Sequence, residues 1–408
     1  MIDSGNRMRW TEADAVHELR WQSEKGLPPP KKVLIADDTL TADTAYRLAS
    51  EGSAFLWRGD YQNAKQLLQA LARRAERPVK RNRKKMASQA KLNPEAVNAI
   101  EPRAVFNQHR QSQAQRARIL DAILIPVLAD HAIPLRRAPD VTKACLDVFG
   151  NGADDYVLSL RELLGVISAH EWRKKGVVIP SLKEGAQRLF PHYGVFSPLR
   201  GEYVELVAMA PLPTALKVKS LAFDIGIGTG VLAAVLAQRG IQKIVGTDQD
   251  PRALECAKAN IHQLGLEQQV EILNADLFPP EKAALIVCNP PWLPARPSSP
   301  IERAIYDPES MMLKGFLSQL REHLLPEAEG WLILSDLAEH LQLRSRDELL
   351  SWIAEAGLTV IEKRDARPTH PKVSDASDPL HQARKAEVTS LWRLAEVQLD
   401  SAGQSPER

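Results

Sequence analysis

The sequence predicts an α/β protein: a mostly parallel sheet with helices on both faces in the C-terminal half, preceded by a mostly helical N-terminal domain. Three observations carry this. From about residue 190 short apolar runs and helical stretches alternate, the rhythm of a parallel sheet with crossover helices. A glycine-rich turn at 226–230 sits between the first such run and the first such helix. Before residue 190, apolar residues recur instead at spacings of three and four, the mark of amphipathic helices.

Taken in order, helices are expected over Thr11–Glu24, Thr41–Ser50, Tyr61–Arg77, Arg103–Ala129 and Asp155–Lys174. Leu67, Leu68 and Leu71 form one apolar stripe, and Ile119, Ile123 and Leu124 another, both read as core contacts. Pro28–Pro30 is a stiff linker ahead of the apolar run Val33–Ala36. Beyond 190, strands are expected at Leu221–Ile225, Lys243–Thr247, Val270–Leu273, Leu285–Cys288, Trp331–Ser335, Leu358–Glu362 and Glu387–Leu394. Helices fall between them at Val231–Arg239, Pro251–Leu264, Ser310–Leu325 and Arg344–Ala356. Pro251 stands in a first helical turn, where its missing N–H has no partner to lose. This gives an N-terminal domain over 1–190, a second domain over 191–399 and a frayed tail over 400–408.

Composition narrows the class. The 408 residues are 44% hydrophobic and 25% charged, as in ordinary globular proteins. The net charge of +2 means that any affinity for nucleic acid must come from a local patch. Cys145, Cys256 and Cys288 form no Cys-x-x-Cys pair, which fits a reducing compartment and excludes a disulfide framework. Met1–Glu12 has no signal-type apolar core, and the run Ile119–Ala129 is too short to span a bilayer. A cytoplasmic protein without a membrane partner is expected. His170-Glu171 lacks a second histidine, and His192 and His340 stand alone, so no metal site is expected.

The chemistry gathers at the predicted strand ends. Gly226, Gly228 and Gly230 follow Asp224 and let the backbone turn sharply and approach a ligand closely. Their spacing departs from the dinucleotide fingerprint, because Val231 stands where its last glycine belongs, and this disfavours a pyrophosphate ligand. Asp248, followed by Gln249, ends the second strand and can accept two ribose hydroxyls, while Asp250 is left to cap the next helix. Asp276 and Leu277 follow the third strand, where a carboxylate can accept an adenine amino group beside an apolar contact. The fourth strand runs into Asn289-Pro290-Pro291-Trp292. An amide or exocyclic amine is a poor nucleophile because its lone pair is delocalised. The Asn289 side-chain oxygen and the Pro290 carbonyl can each accept one N–H and so orient that lone pair. The prolines stiffen the loop, and Trp292 offers a face for stacking.

These residues resemble the class I methyltransferases that carry an Asn-Pro-Pro-aromatic motif, in particular release-factor glutamine N5-methyltransferases and small-domain ribosomal RNA methylases. The likeness runs from about His192 to His340. Val195–Glu202 is similar to the element before that family's first strand, and 223–230 to its first cofactor motif. Thr247-Asp248 is similar to its acidic ribose site, and Asn289–Trp292 with Tyr306-Asp307-Pro308 to its Asn-Pro-Pro-Tyr and Tyr-Glu-Pro. The resemblance implies a Rossmann-like seven-stranded class I methyltransferase sheet, S-adenosyl-L-methionine as cofactor, and transfer to nitrogen. Trp292 departs from the usual tyrosine, and the first 190 residues do not resemble the release-factor recognition module.

The acceptor is therefore open between a nucleobase amine and a glutamine amide, in RNA, DNA or a protein of the translation apparatus. Segment 72–91 holds nine basic residues against one acid, Glu76, and Arg81, Arg83, Lys84 and Lys85 within it are candidates for phosphate contact. The alternative is a solvated linker. A second reading of the whole chain is a nucleic-acid-binding module on a non-catalytic methyltransferase fold. The expected catalytic group is Asn289, Pro290, Pro291 and Trp292, and the expected cofactor group Asp224, Gly226, Gly228, Gly230, Asp248, Gln249, Asp276 and Leu277.

Overall fold

The structure, a computed structural model, describes residues 6–92, 101–182, 187–199, 201–368, 375 and 377–397, without the side chains of 77–92. The chain forms two compact units, Met1–Glu171 and Trp172–Arg408. The expected tail 400–408 lies outside the described residues.

The first unit is rich in helix, as expected, but its helices accompany a six-stranded sheet that the spacing of apolar residues does not reveal. Its strands are β1 (Arg7–Glu12), β2 (Ala15–Trp21), β3 (Lys32–Ala36), β4 (Ser53–Trp57), β5 (Ile123–Val127) and β6 (Tyr156–Ser159), in the order β1-β2-β6-β5-β4-β3. Strands β3, β4 and β5 are parallel, and β6 runs against β5. The expected helix Thr11–Glu24 is instead the β1–β2 hairpin. Ala13 and Asp14 both take left-handed backbone angles in its tight turn, as a primed hairpin turn requires. Met8 and Trp10 are buried at alternate positions of β1, as in a strand with one covered face. Trp10 also stacks on His17 across the hairpin, with ring centroids 5.4 Å apart.

The expected helix Arg103–Ala129 divides for a related reason. It is helical over Pro102–Leu120, turns at Asp121 and re-enters as β5, whose five residues are all buried. A short, fully apolar run carries no periodicity by which to tell a buried strand from a buried helix. Asp155–Lys174 likewise opens with β6 before its helix Leu160–Lys175. The helix expected to end at Arg77 continues to Leu92 and carries the whole of the basic segment 72–91. The side chains of Arg81, Arg83, Lys84 and Lys85 lie outside the described residues.

The second unit opens with a two-stranded ribbon, β7 (Val177–Val178) and β8 (Arg188–Leu189). Its main sheet comprises β9 (Leu221–Ile225), β10 (Lys243–Asp248), β11 (Val270–Asn274), β12 (Ala283–Cys288), β13 (Leu324–Ser335), β14 (Leu358–Ala366) and β15 (Thr389–Glu396). The order is β11-β10-β9-β12-β13-β15-β14. The first five strands are parallel, and β15 runs against both of its neighbours. All seven expected strands are present, with ends shifted by a few residues. Strand β9 is buried throughout, because alternate residues face opposite layers: Ala222 packs with Leu232 and Val235 on one face, Phe223 and Ile225 with Phe316 on the other. A parallel sheet covered on both faces reads as a continuous apolar run, which is why its strands are legible.

Candidate active site

Because β9, β10, β11 and β12 are parallel and in register, their C-terminal ends open on one edge of the sheet. Ile225 lies opposite Thr247 and Cys288, and Asp248 opposite Asn274. The glycine turn, Asp248, Asp276 and Asn289 are thereby placed along the same edge, where ligands of open α/β sheets bind.

The turn is held from below. The N–H groups of Gly226 and Ile227 both donate to the Thr247 carbonyl, at 2.9 and 2.8 Å. Gly226, Gly228 and Gly230 have φ of +76°, +53° and +81°, angles that L side chains rarely adopt. An ideal Cβ on Gly226 would also stand 3.0 Å from the Met312 methyl. The Asp248 carboxylate accepts the Gly228 N–H at 3.2 Å and the Asp250 N–H at 2.9 Å, which ties the turn to the end of β10. Asp250 caps the helix Pro251–Gln263, accepting from the Arg252 N–H at 2.9 Å. The Gln249 side-chain amide donates to the Asp276 carboxylate. Leu277 takes a left-handed φ of +65°, and the Thr247 hydroxyl donates to its carbonyl.

Asp224 sits deeper than the rest. It is buried under the helix Val231–Gln238 and accepts the Ala233 N–H at 2.9 Å. Burial, with the Asp248 charge adding to it, pushes its carboxyl up to about 7. Burial also raises the Asp248 carboxyl. An unfolded aspartate ionises near 4, so between about pH 4 and 7 the native state holds a proton at Asp224 that the unfolded chain has lost. The contribution of this group to stability is present at the acidic end and falls as pH rises towards 7. Asp224→Asn is therefore expected to gain on the wild type as pH rises from 5 to 7.5 in urea unfolding. A difference that stays level across that range assigns Asp224 an ordinary ionisation.

At the end of β12 the chain leaves the sheet through Asn289, Pro290, Pro291 and Trp292. The Trp292 indole Nε1–H donates to Asn289 Oδ1 at 2.9 Å. The ring is half-buried and packs against the apolar layers on both faces of the sheet. Leu293 then bridges to the Tyr306 region: its N–H donates to the Ile305 carbonyl at 3.1 Å, and the Asp307 N–H donates to the Leu293 carbonyl at 2.8 Å. Burial lifts the adjoining Cys288 thiol far above its usual range, which removes it as a nucleophile.

Asp307 is a residue whose role the sequence does not disclose. Its buried carboxylate accepts the N–H groups of Met312 and Leu313 at 3.0 and 3.1 Å, capping the helix Met311–His323. It joins the loop after β12, through Leu293, to the methionine that faces Gly226. Ser310 looks like the cap by its place in the sequence, but its backbone is left-handed and its side chain caps nothing.

The sheet order, with its single antiparallel strand inserted next to the edge, is that of the class I methyltransferases. Residues 187–305, within the second unit, match the family model described as methyltransferase small domain. A ribosomal protein L11 methyltransferase from Tolumonas auensis is 29% identical over 126 residues, 30% of this chain and 43% of the relative. A tRNA1(Val) (adenine(37)-N6)-methyltransferase from Shewanella loihica is 29% identical over 148 residues, 34% of this chain and 59% of the relative. The chain thus spans 43% and 59% of the length of these two curated relatives. Among solved structures, a ribosomal protein L11 methylase from Lactobacillus delbrueckii subsp. bulgaricus is 16% identical, with a TM-score of 0.32, over 48% of this chain and 77% of that one.

Proposed function

We propose that the protein is an S-adenosyl-L-methionine-dependent N-methyltransferase acting on a planar amino or amide nitrogen. The observation that carries this is the placing of Asn289-Pro290-Pro291-Trp292 on the sheet edge that also bears the glycine turn. The donor set suits the cofactor. Asp248 and Asp276 offer carboxylates to ribose hydroxyls and an adenine amine, and their negative charge disfavours a pyrophosphate. Three left-handed glycines make a cradle that side chains would fill. When bound, S-adenosyl-L-methionine supplies an electrophilic methyl group on a sulfonium. Leu277 contributes an apolar contact beside the adenine. The Asn289 Oδ1 and the Pro290 carbonyl accept the two N–H groups of the acceptor and turn its lone pair towards that methyl. The nitrogen becomes cationic as the N–C bond forms and loses its proton to solvent afterwards, so positioning supplies most of the catalysis.

The acceptor belongs to a macromolecule of the translation apparatus, which places the work in the cytoplasm. The basic segment 72–91 favours a nucleobase amine, since a row of arginines and lysines can neutralise phosphates without reading sequence. The first unit then serves as the recognition domain. A glutamine or other protein nitrogen is the second reading, favoured by the relative named for a ribosomal protein.

The deciding experiment is transfer from methyl-labelled S-adenosylmethionine into a lysate lacking this protein, separated into RNA, DNA and protein, with Asn289→Ala in parallel. Label in RNA that disappears with the variant supports the first reading, and label in protein the second. Equal labelling by the variant removes Asn289 from the reaction, and no label above that of the lysate alone assigns the chain to binding without catalysis.

A further inference from the structure

The hydrogen bond from Trp292 to Asn289 adds a function to that ring beyond stacking. A side-chain amide is a fork of two nearly isosteric arms, an oxygen that accepts and an NH2 that donates. For Asn289 to orient an acceptor amine, the oxygen must face it; the flipped amide would set donor against donor. Nothing in the shape of the side chain prevents the flip. An indole Nε1–H, however, only donates, and at 2.9 Å it can face only the oxygen arm. That oxygen has two lone pairs, so one remains for the acceptor N–H. Pro290 and Pro291 stiffen the loop between the two residues, and the packed ring holds the donor in place.

We propose that Trp292 is a positioning residue: its indole N–H locks the Asn289 amide with Oδ1 towards the acceptor nitrogen. Phenylalanine would keep the stacking face and lose the lock. Tyrosine would carry its donor at the far end of the ring, away from the place of Nε1. This role rests on the N-methyl-transfer reading above, and two measurements keep their failures apart.

The first needs no acceptor. In the nitrogen-15-labelled full chain, the indole N–H resonance of Trp292 is the one missing from Trp292→Phe. In Asn289→Ala that resonance is expected to move upfield and its exchange with solvent to quicken by about tenfold or more, as an N–H loses its partner. An unmoved resonance overturns the proposal, and because the ring is retained in Asn289→Ala, a folding defect of Trp292→Phe does not bear on the result.

The second uses the fraction that the wild type labels. Trp292→Phe is expected to lower kcat about tenfold while KM for the acceptor stays within about twofold, since the ring's contact is kept and orientation is lost. In an Asn289→Asp background both arms are oxygens and no lock is needed. There the same substitution should lower kcat by less than about threefold. An equal loss in both backgrounds leaves Trp292 with stacking alone and overturns the lock. A wild type that labels no fraction overturns the methyl-transfer reading, and the acceptor-orienting role with it, while the indole resonance still reports the bond.

Discussion

Asn289→Ala is expected to lower the rate of methyl transfer by about 100- to 1,000-fold, the loss typical of removing one preorganised polar group from a reacting centre. The cause is geometric. The acceptor nitrogen is planar and its lone pair is shared with the adjoining ring or carbonyl, so reaction requires its N–H groups to be held out of line. On the proposed reading, Asn289 provides one of the two acceptors at the end of β12, and the stiff backbone at Pro290 provides the other. Alanine leaves the strand, the prolines and the Trp292 face in place, so binding of the macromolecule changes little and the loss falls on kcat. Cofactor affinity should stay within about threefold, because the groups assigned to it stand on β9, β10 and β11 and not on β12. Single-turnover kinetics and calorimetric titration with the cofactor check the two halves separately. Turnover near the wild-type rate would remove Asn289 from the reaction, and a collapse of cofactor affinity would mean that the end of β12 shapes the cofactor cradle.

The difference between what the sequence shows and what it hides has a physical pattern. The second unit is legible because a parallel sheet buried on both faces writes its strands as largely apolar runs, each ended or followed by glycine, aspartate or asparagine. Leu221–Ile225, Lys243–Asp248 and Ala283–Cys288 all have this form. The site is legible with them, since its residues follow those ends directly. The first unit is harder to read. Met8 and Trp10 are two inward positions of a short strand, too few to establish a period. Ile123–Val127 is apolar at every position and carries no period at all. Tertiary pairing, which the sequence does not display, decides both. Asp307 is hidden for another reason: Ser310 stands immediately before the helix and satisfies the usual rule for a cap, while the carboxylate that does the capping arrives from three residues further back. The bond between Trp292 and Asn289 depends on the path of two prolines, and a spacing of three residues in a loop implies no contact.

Asp248→Ala is expected to weaken cofactor binding by roughly 100-fold or more. Two ribose hydroxyls donating to a carboxylate make two charge-assisted hydrogen bonds of about 1.5–3 kcal/mol each, so their loss removes at least about 3 kcal/mol. The same carboxylate accepts the Gly228 N–H at 3.2 Å, so alanine also frees the glycine turn from β10 and adds to the loss. Asp248→Asn separates the contributions: it keeps one acceptor oxygen and so should fall between alanine and wild type. A pH dependence follows from the same group. Burial raises its carboxyl above the ordinary aspartate range, and the protonated form can accept fewer hydrogen bonds than the ionised one. Affinity should therefore decline as pH is lowered towards that raised value, in the wild type and not in Asp248→Asn. Titration calorimetry at pH 8 and pH 5 checks both statements, because the asparagine variant cannot ionise. Parallel declines in the two proteins would place the titrating group elsewhere in the cradle, with Asp224 the next to substitute. A decline confined to the wild type would assign it to Asp248, the aspartate at the end of β10 that holds the glycine turn through the Gly228 N–H.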